Sequence, residues 1–268
     1  MDELNDWYEV IKQKDYLYVI RERIDKIDPR LYTKYTNMYL IVGSKKALLM
    51  DTGCGLYPLK PLIKQLIGAQ ELIVINTHSH FDHRGANNEF TTVFVHEKEE
   101  KALRIPIDVS WLKDSPEDRV KRFEINDYKF LPSQNVEALK EGHEFDLGMI
   151  KVKIYHTPGH SEGSISIVTD KGELFTGDTA HYGAMYLPKR QELPIILESL
   201  KKLKKIAQNN NVHEIYPAHE QFAVGIELLE RLAVGISNID TIWHKRVKDT
   251  FLQSWILEDE YFKYVVPL

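Results

Sequence analysis

Thr77-His78-Ser79-His80-Phe81-Asp82-His83-Arg84-Gly85 sets three histidines and one aspartate into six consecutive positions, in the order His-x-His-x-Asp-His. The residues before it, Leu72-Ile73-Val74-Ile75-Asn76, form an apolar run that reads as a buried strand. Side chains at i and i+2 of an extended chain point the same way, so His78 and His80 can grip one ion together. Asp82 and His83 fall where Gly85 and the polar residues after it predict a change from strand to helix. That bend turns them towards a second ion beside the first.

Three later segments repeat the pattern of strand, sharp turn and metal-competent side chain. Lys151-Val152-Lys153-Ile154-Tyr155 alternates like a half-buried strand and runs into Thr157-Pro158-Gly159-His160. Glu173-Leu174-Phe175-Thr176 ends in Gly177-Asp178-Thr179, and His213-Glu214-Ile215-Tyr216 ends in Pro217-Ala218-His219. The set holds only nitrogen and oxygen ligands, which argues against a structural zinc finger built on cysteines. Seven such ligands suit two divalent ions, zinc by default and iron or manganese by the same donor chemistry. Isolated histidines are more often packed or exposed residues than ligands, and His96, His143, His156, His213 and His244 are assigned accordingly.

With these motifs the chain resembles the metallo-β-lactamase-fold hydrolase superfamily. The resemblance covers most of the chain, and no ligand position is substituted. It implies a first metal held by His78, His80 and His160, a second held by Asp82, His83 and His219, and Asp178 bridging the two. Asp51, in Leu48-Leu49-Met50-Asp51-Thr52-Gly53, matches an early Asp-Thr-Gly turn that supports the site from behind the ligands. It also implies an α/β fold, the four-layer αβ/βα sandwich of two mixed sheets with outer helices.

Composition points the same way. The 268 residues are 43% hydrophobic, enough to bury a core, and the net charge of -5 gives no overall pull towards nucleic acid or acidic membranes. The lone cysteine, Cys54, rules out an internal disulfide and sits between Gly53 and Gly55 as a small turn residue. The N-terminal Met1-Asp2-Glu3-Leu4-Asn5-Asp6 is acidic and lacks the apolar stretch of a signal peptide. No uncharged apolar run approaches the roughly 18 residues needed to span a bilayer. A cytoplasmic protein is expected.

The organisation predicted is one domain over 1–268. Tyr16 to Ile24, Met38 to Val42 and Ala47 to Met50 read as strands, Pro58 to Ile67 as a helix, and Thr92 to Val95 as a short strand. From about Glu97 to Glu144 the pattern breaks into a charged segment punctuated by Pro106, Pro116 and Pro132. It reads as an inserted lid-like segment or, equally, as a plain surface excursion. Strands resume at 150–155, 164–168 and 173–176. Glu192 to Ala207 is an amphipathic helix, and a last helix runs from about Ala223 towards His244. The tail carries Phe251, Trp255, Tyr261, Phe262 and Tyr264, which can pack on the core, on a partner subunit of a homodimer, or along an acyl pocket.

Metal-assisted hydrolysis is the leading reaction class, because two cations sharing a water lower its pKa towards neutrality and polarise the attacked oxygen. No phosphate-binding glycine loop competes. Trp7, the Asp51 turn, Ser110-Trp111-Leu112, Phe145-Asp146-Leu147-Gly148 and Pro158-Gly159-His160-Ser161-x-Gly163-Ser164-Ile165 occur in similar order in the acyl-coenzyme A thioesterase branch of the superfamily. Similar residues occur in glyoxalase II, whose glutathione-binding domain is not evident in the 49 residues that follow His219. The resemblance therefore implies a small-molecule thioester or ester substrate, attacked at its carbonyl by hydroxide that the ions supply. Asp82 and Asp178 are assigned to catalysis as well as to the metals. A lactone hydrolase of the acyl-homoserine lactonase type is the alternative, in which Tyr182 or Tyr186 donates to the substrate oxygen. A phosphodiesterase fits less well, for want of a basic tract.

Overall fold

The computed structural model describes residues 7–268, so the acidic Met1–Asp6 lies outside the described residues. The chain divides into two compact units, one ending at Val152 and the other Lys153–Leu268.

The first unit is built on a seven-stranded sheet. Strands β1 (Glu9–Lys14), β2 (Leu17–Arg23), β3 (Tyr35–Val42) and β4 (Lys46–Met50) form an antiparallel meander. From β4 onward the pairing turns parallel, to β5 (Glu71–Ile75) and β6 (Thr92–His96). Parallel neighbours need a crossover. Helix α1 (Lys60–Ile67) makes the first, and the segment holding α2 (Phe81–Arg84) makes the second. Both leave the carboxyl ends of parallel strands, where open α/β sheets put their ligand sites. The crossover after β5 carries the histidine motif.

Between about 97 and 144 the structure is more ordered than the sequence predicts. It holds α3 (Glu100–Leu103), a two-stranded ribbon of β7 (Ile107–Asp108) with β8 (Lys129–Phe130), and 3-10 turns at Ser110–Asp114 and Asp118–Asn126. Strand β9 (Asn135–Leu139) then pairs parallel with β6 and extends the main sheet. Much of the segment is therefore the crossover that this parallel pairing requires. Its sequence, Asn-Val-Glu-Ala-Leu, buries only Val136 and Leu139, so its charge hides a strand. The core of this unit is continuous from Trp7 and Ile20 through Leu49 and Val74 to Phe123 and Phe130.

After β10 (Glu144–Asp146) and β11 (Lys151–His156), the second unit pairs β12 (Ile165–Thr169) antiparallel with β13 (Glu173–Gly177). A further strand, β14 (Gly183–Tyr186), follows. Helix α4 (Leu193–Asn209) leads to β15 (Glu214–Pro217), which pairs parallel with β13. Leu193, Ile196, Leu200, Leu203 and Ile206 of α4 are buried at helical spacing, as the sequence predicts.

The last predicted helix, by contrast, is broken. It is α5 (Glu227–Ser237), then α6 (Ile239–Ile242) and a 3-10 turn, and Ala223 lies at a positive φ that no helix allows. The tail forms a sheet of β16 (Val247–Asp249), β17 (Ser254–Glu258) and β18 (Phe262–Pro267), with β14 parallel to β18. Phe262 and Tyr264 are buried in this unit's core, whereas Tyr261 is exposed. No helix of the described residues is long and apolar enough to cross a membrane.

Candidate metal centre

Each unit gathers its own share of the candidate ligands. In the first, His78 follows β5, His80 caps the short α2 with extended backbone, and Asp82 and His83 lie in its first turn. The His78 ring sits between its two neighbours, 4.6 Å from the His80 ring and 4.1 Å from the His83 ring, centroid to centroid. Asp82 Oδ2 is 3.4 Å from His83 Nε2. His78, Asp82 and His83 are buried, and His80 is exposed.

Asp51 organises this group. It follows directly on β4, is buried, and holds φ at 63°, a left-handed conformation uncommon outside glycine and tolerated by aspartate. Its Oδ1 accepts the Thr77 backbone N–H at 2.7 Å. Its Oδ2 accepts the Thr77 hydroxyl at 2.8 Å and lies 2.9 Å from His83 Nδ1. A carboxylate only accepts, so His83 Nδ1 carries the proton and Nε2 keeps the lone pair. The Thr77 hydroxyl has already given its single proton to Asp51. At 3.1 Å from His78 Nδ1 it therefore accepts, and His78 also presents Nε2 as a lone pair. This is the arrangement by which residues behind a metal site fix the tautomer of its ligands.

The motif is braced further by side chains that a sequence pattern does not mark. The Asn76 amide donates to His83 O at 2.6 Å, Asn87 donates to Asn76 at 2.7 Å, and the Thr52 hydroxyl donates to Asn87 at 2.8 Å. Arg84 donates to Ala102 O and Ile105 O, both at 2.7 Å, which ties α2 to the segment beyond β6. Burial pushes the Arg84 guanidinium down to about 10. Glu22 is buried on β2, takes the Trp7 indole N–H at 2.8 Å and also accepts the backbone N–H of Cys54. Burial raises its carboxyl above the usual range against the pull of those donors. Cys54 is fully buried and its thiol is pushed up by burial and by Glu22, so it is the structural turn residue that its position predicts.

In the second unit, His160, Asp178 and His219 come together. His219 Nε2 is 3.0 Å and His160 Nε2 is 3.4 Å from the same oxygen, Asp178 Oδ2. His160 Nδ1 donates to Tyr186 O at 2.8 Å, which leaves Nε2 as its lone-pair nitrogen. Gly159 makes this turn possible: φ is +139°, and a Cβ there would stand 2.5 Å from Ile196 of α4. Asp178 and His219 follow the carboxyl ends of the parallel pair β13 and β15. His181 lies beside His219 at 5.1 Å between ring centres and donates Nδ1–H to Tyr182 O at 2.7 Å. The Tyr182 hydroxyl accepts from Arg231 at 3.0 Å, and its ring stacks on Phe262.

The donor set fits divalent cations. Three histidines, one in the second unit and two in the first, are held by a partner on Nδ1 that turns Nε2 outward as a ligand. The carboxylates of Asp82 and Asp178 are buried against His83 and His219. Asp51→Asn keeps the shape and removes the charge that fixes His83. It is expected to lower metal affinity or activity about 10–100-fold, the usual effect of losing a partner behind a ligand. Metal retention on a chelating titration checks this, and an unchanged affinity with unchanged turnover would remove Asp51 from the site.

Comparison with known proteins agrees with this chemistry. The profile of the Metallo-beta-lactamase superfamily matches residues 31–219. The acyl-coenzyme A thioesterase MBLAC2 of Homo sapiens is 28% identical over 259 residues, 90% of this chain and 90% of its own length. A hydroxyacylglutathione hydrolase of Rippkaea orientalis is 28% identical over 60% of this chain and 57% of its own. Among solved structures, a metallo-beta-lactamase from Pontibacter korlensis is similar with a TM-score of 0.61 and 16% identity, covering 86% of this chain and 99% of that one. This likeness is one of fold.

Proposed function

The chain belongs to the metallo-beta-lactamase superfamily, as a hydrolase of that class, and from this we propose a dinuclear metal-dependent hydrolase that attacks a thioester or ester carbonyl. Acyl-coenzyme A or a related thioester is the favoured substrate. The observation that carries the reading is the pair of ligand sets, each with histidine tautomers fixed towards metal binding. Both sets fall inside the one family match. In this proposal His78, His80 and His160 would hold one ion, Asp82, His83 and His219 would hold the other, and Asp178 would serve both. Zinc is the default, and iron or manganese suits the same nitrogen and oxygen donors.

Two such ions would supply Lewis acidity and bring the pKa of a shared water close to neutrality. The chain's own groups do the rest. Asp82 and Asp178 accept hydrogen bonds from the attacking water and orient it. Asp51 and Tyr186 O engage Nδ1 of His83 and of His160 and aim their Nε2 atoms. Tyr182 accepts from Arg231 and retains its own proton for the oxygen that gains charge as the carbonyl is attacked. The whole of 1–268 then works as one functional domain, with the part of the 97–144 segment that precedes β9 as its lid-like insertion.

Tyr182→Phe removes only the hydroxyl. Turnover should fall by about a hundredfold, the typical cost of one donor to a developing oxyanion. An unchanged kcat would leave Tyr182 as the residue that stacks on Phe262 and move the donor role to Tyr186 or His181. The reaction class is tested on acyl-coenzyme A, lactone and bis(p-nitrophenyl) phosphate side by side. Lactones turning over far faster than thioesters would make this a lactonase. Phosphodiester cleavage with no acyl turnover would overturn the reading altogether.

A further inference from the structure

The first unit contains a cavity of about 880 Å³ between the loop after Gly55 and the segment Lys121–Leu131. Nothing in the metal chemistry uses it. Five cationic side chains line it: Lys60, Lys64, Lys121, Arg122 and Lys129. Its lone carboxylate, Glu89, is already committed, accepting the backbone N–H groups of Leu59 and Lys60 at the start of α1. A chain with a net charge of -5 thus gathers a positive field at one cavity.

The cations are of two kinds. Arg122 is ordered, with its guanidinium 4.0 Å from the centre of the Tyr57 ring and its Nε donating to Leu56 O at 3.3 Å. Lys121 and Lys129 pair with Asp118 and Asp127 at 2.6 and 2.9 Å, and both acids are outside the cavity lining. Those pairs are exposed, and exposed pairs are weak. An entering anion with several charges can displace them. The lining also carries apolar side chains, Leu56, Tyr57, Phe123 and Phe130, and Ile125 stands 87% exposed on it. Multiple anionic groups beside a flat, weakly polar body describe a phosphorylated nucleotide. Gly85, two residues beyond His83, also lines the cavity and packs directly on Gly55, so the cavity begins where the histidine motif ends.

We propose that this cavity binds the phosphorylated nucleotide end of a coenzyme A thioester. The phosphates lie against Lys64, Lys121, Arg122 and Lys129, and the base lies against the exposed apolar lining at Ile125 and Leu131. The assignment rests on the thioesterase reading for its substrate, but its test does not depend on turnover.

Coenzyme A is titrated calorimetrically into the full chain and into the double variant Lys121→Glu, Lys129→Glu. Both positions are exposed and outside the metal site, so the fold and the metal content should be kept. Reversal is expected to weaken coenzyme A binding at least about tenfold, the scale of one charge-assisted hydrogen bond. Rising salt should weaken wild-type binding. Hydrolysis of an acyl N-acetylcysteamine thioester, which lacks the nucleotide, should be unchanged, while KM for the acyl-coenzyme A rises. Equal coenzyme A affinity in the two proteins, or no binding by the wild type, overturns the proposal. Binding that depends on the lysines in a protein that hydrolyses no thioester would refute the reaction and keep the cavity assignment.

Discussion

Asp178→Ala is expected to lower thioester turnover by about a thousandfold or more. The estimate follows from the several kcal/mol that correctly held ions contribute to a transition state, at one factor of ten for about 1.4 kcal/mol. Asp178 Oδ2 is the one oxygen approached by both His219 and His160 in its unit, so its removal undoes the second unit's ligand set at a stroke. Because the carboxylate is buried, alanine also leaves two histidines facing a gap. Asp178→Asn separates the effects, since it keeps the volume and the acceptor oxygen but removes the charge. Both variants should lose metal and activity together while retaining the melting profile of the metal-free wild type. A variant with full metal content and normal turnover would remove Asp178 from the centre.

Metal removal is the second large effect. Dialysis against a strong chelator should abolish hydrolysis of every acyl substrate. Zinc should restore it, with iron or manganese restoring it to different degrees according to donor preference. The ligand histidines bind metal only when neutral, so loading weakens as pH falls through the imidazole range. His83 and His160 are held in place at Nδ1 before any ion arrives, by Asp51 and by Tyr186 O. Recovery after chelation should accordingly need no refolding, and circular dichroism should change little. Turnover that survives complete metal removal would exclude this class of mechanism.

The histidine motif was legible because ligand spacing depends only on local backbone geometry. His78 and His80 follow directly on a strand, and Gly85 marks the helix that turns Asp82 and His83. Strands β2 to β5 read within a few residues of their observed ends, since apolar runs set by burial mark them, whereas β1, which buries no residue fully, goes unread. What was hidden depends on distant partners. Strand β9 carries charged and exposed positions and is a strand because β6 lies beside it. The tail sheet pairs β14 with β18, almost eighty positions apart, and no local pattern announces that. Glu22 lies between two arginines in the sequence and reads as surface, yet it is buried beneath the Asp51 turn. Asn76, Asn87 and Thr52 brace the motif through side-chain hydrogen bonds that no periodicity encodes. The cationic cavity is likewise assembled from α1, the 3-10 segment and the ribbon, whose lysines look like ordinary solvated faces in sequence.

The central claim is a pair of ions acting together, and reconstitution tests it most directly. Metal-free protein is titrated with zinc while acyl-thioester hydrolysis and bound metal are recorded on the same samples. Activity should rise to a plateau at about two equivalents per chain, as a two-ion centre requires. Full activity at one equivalent, with no further gain on binding a second, would contradict it.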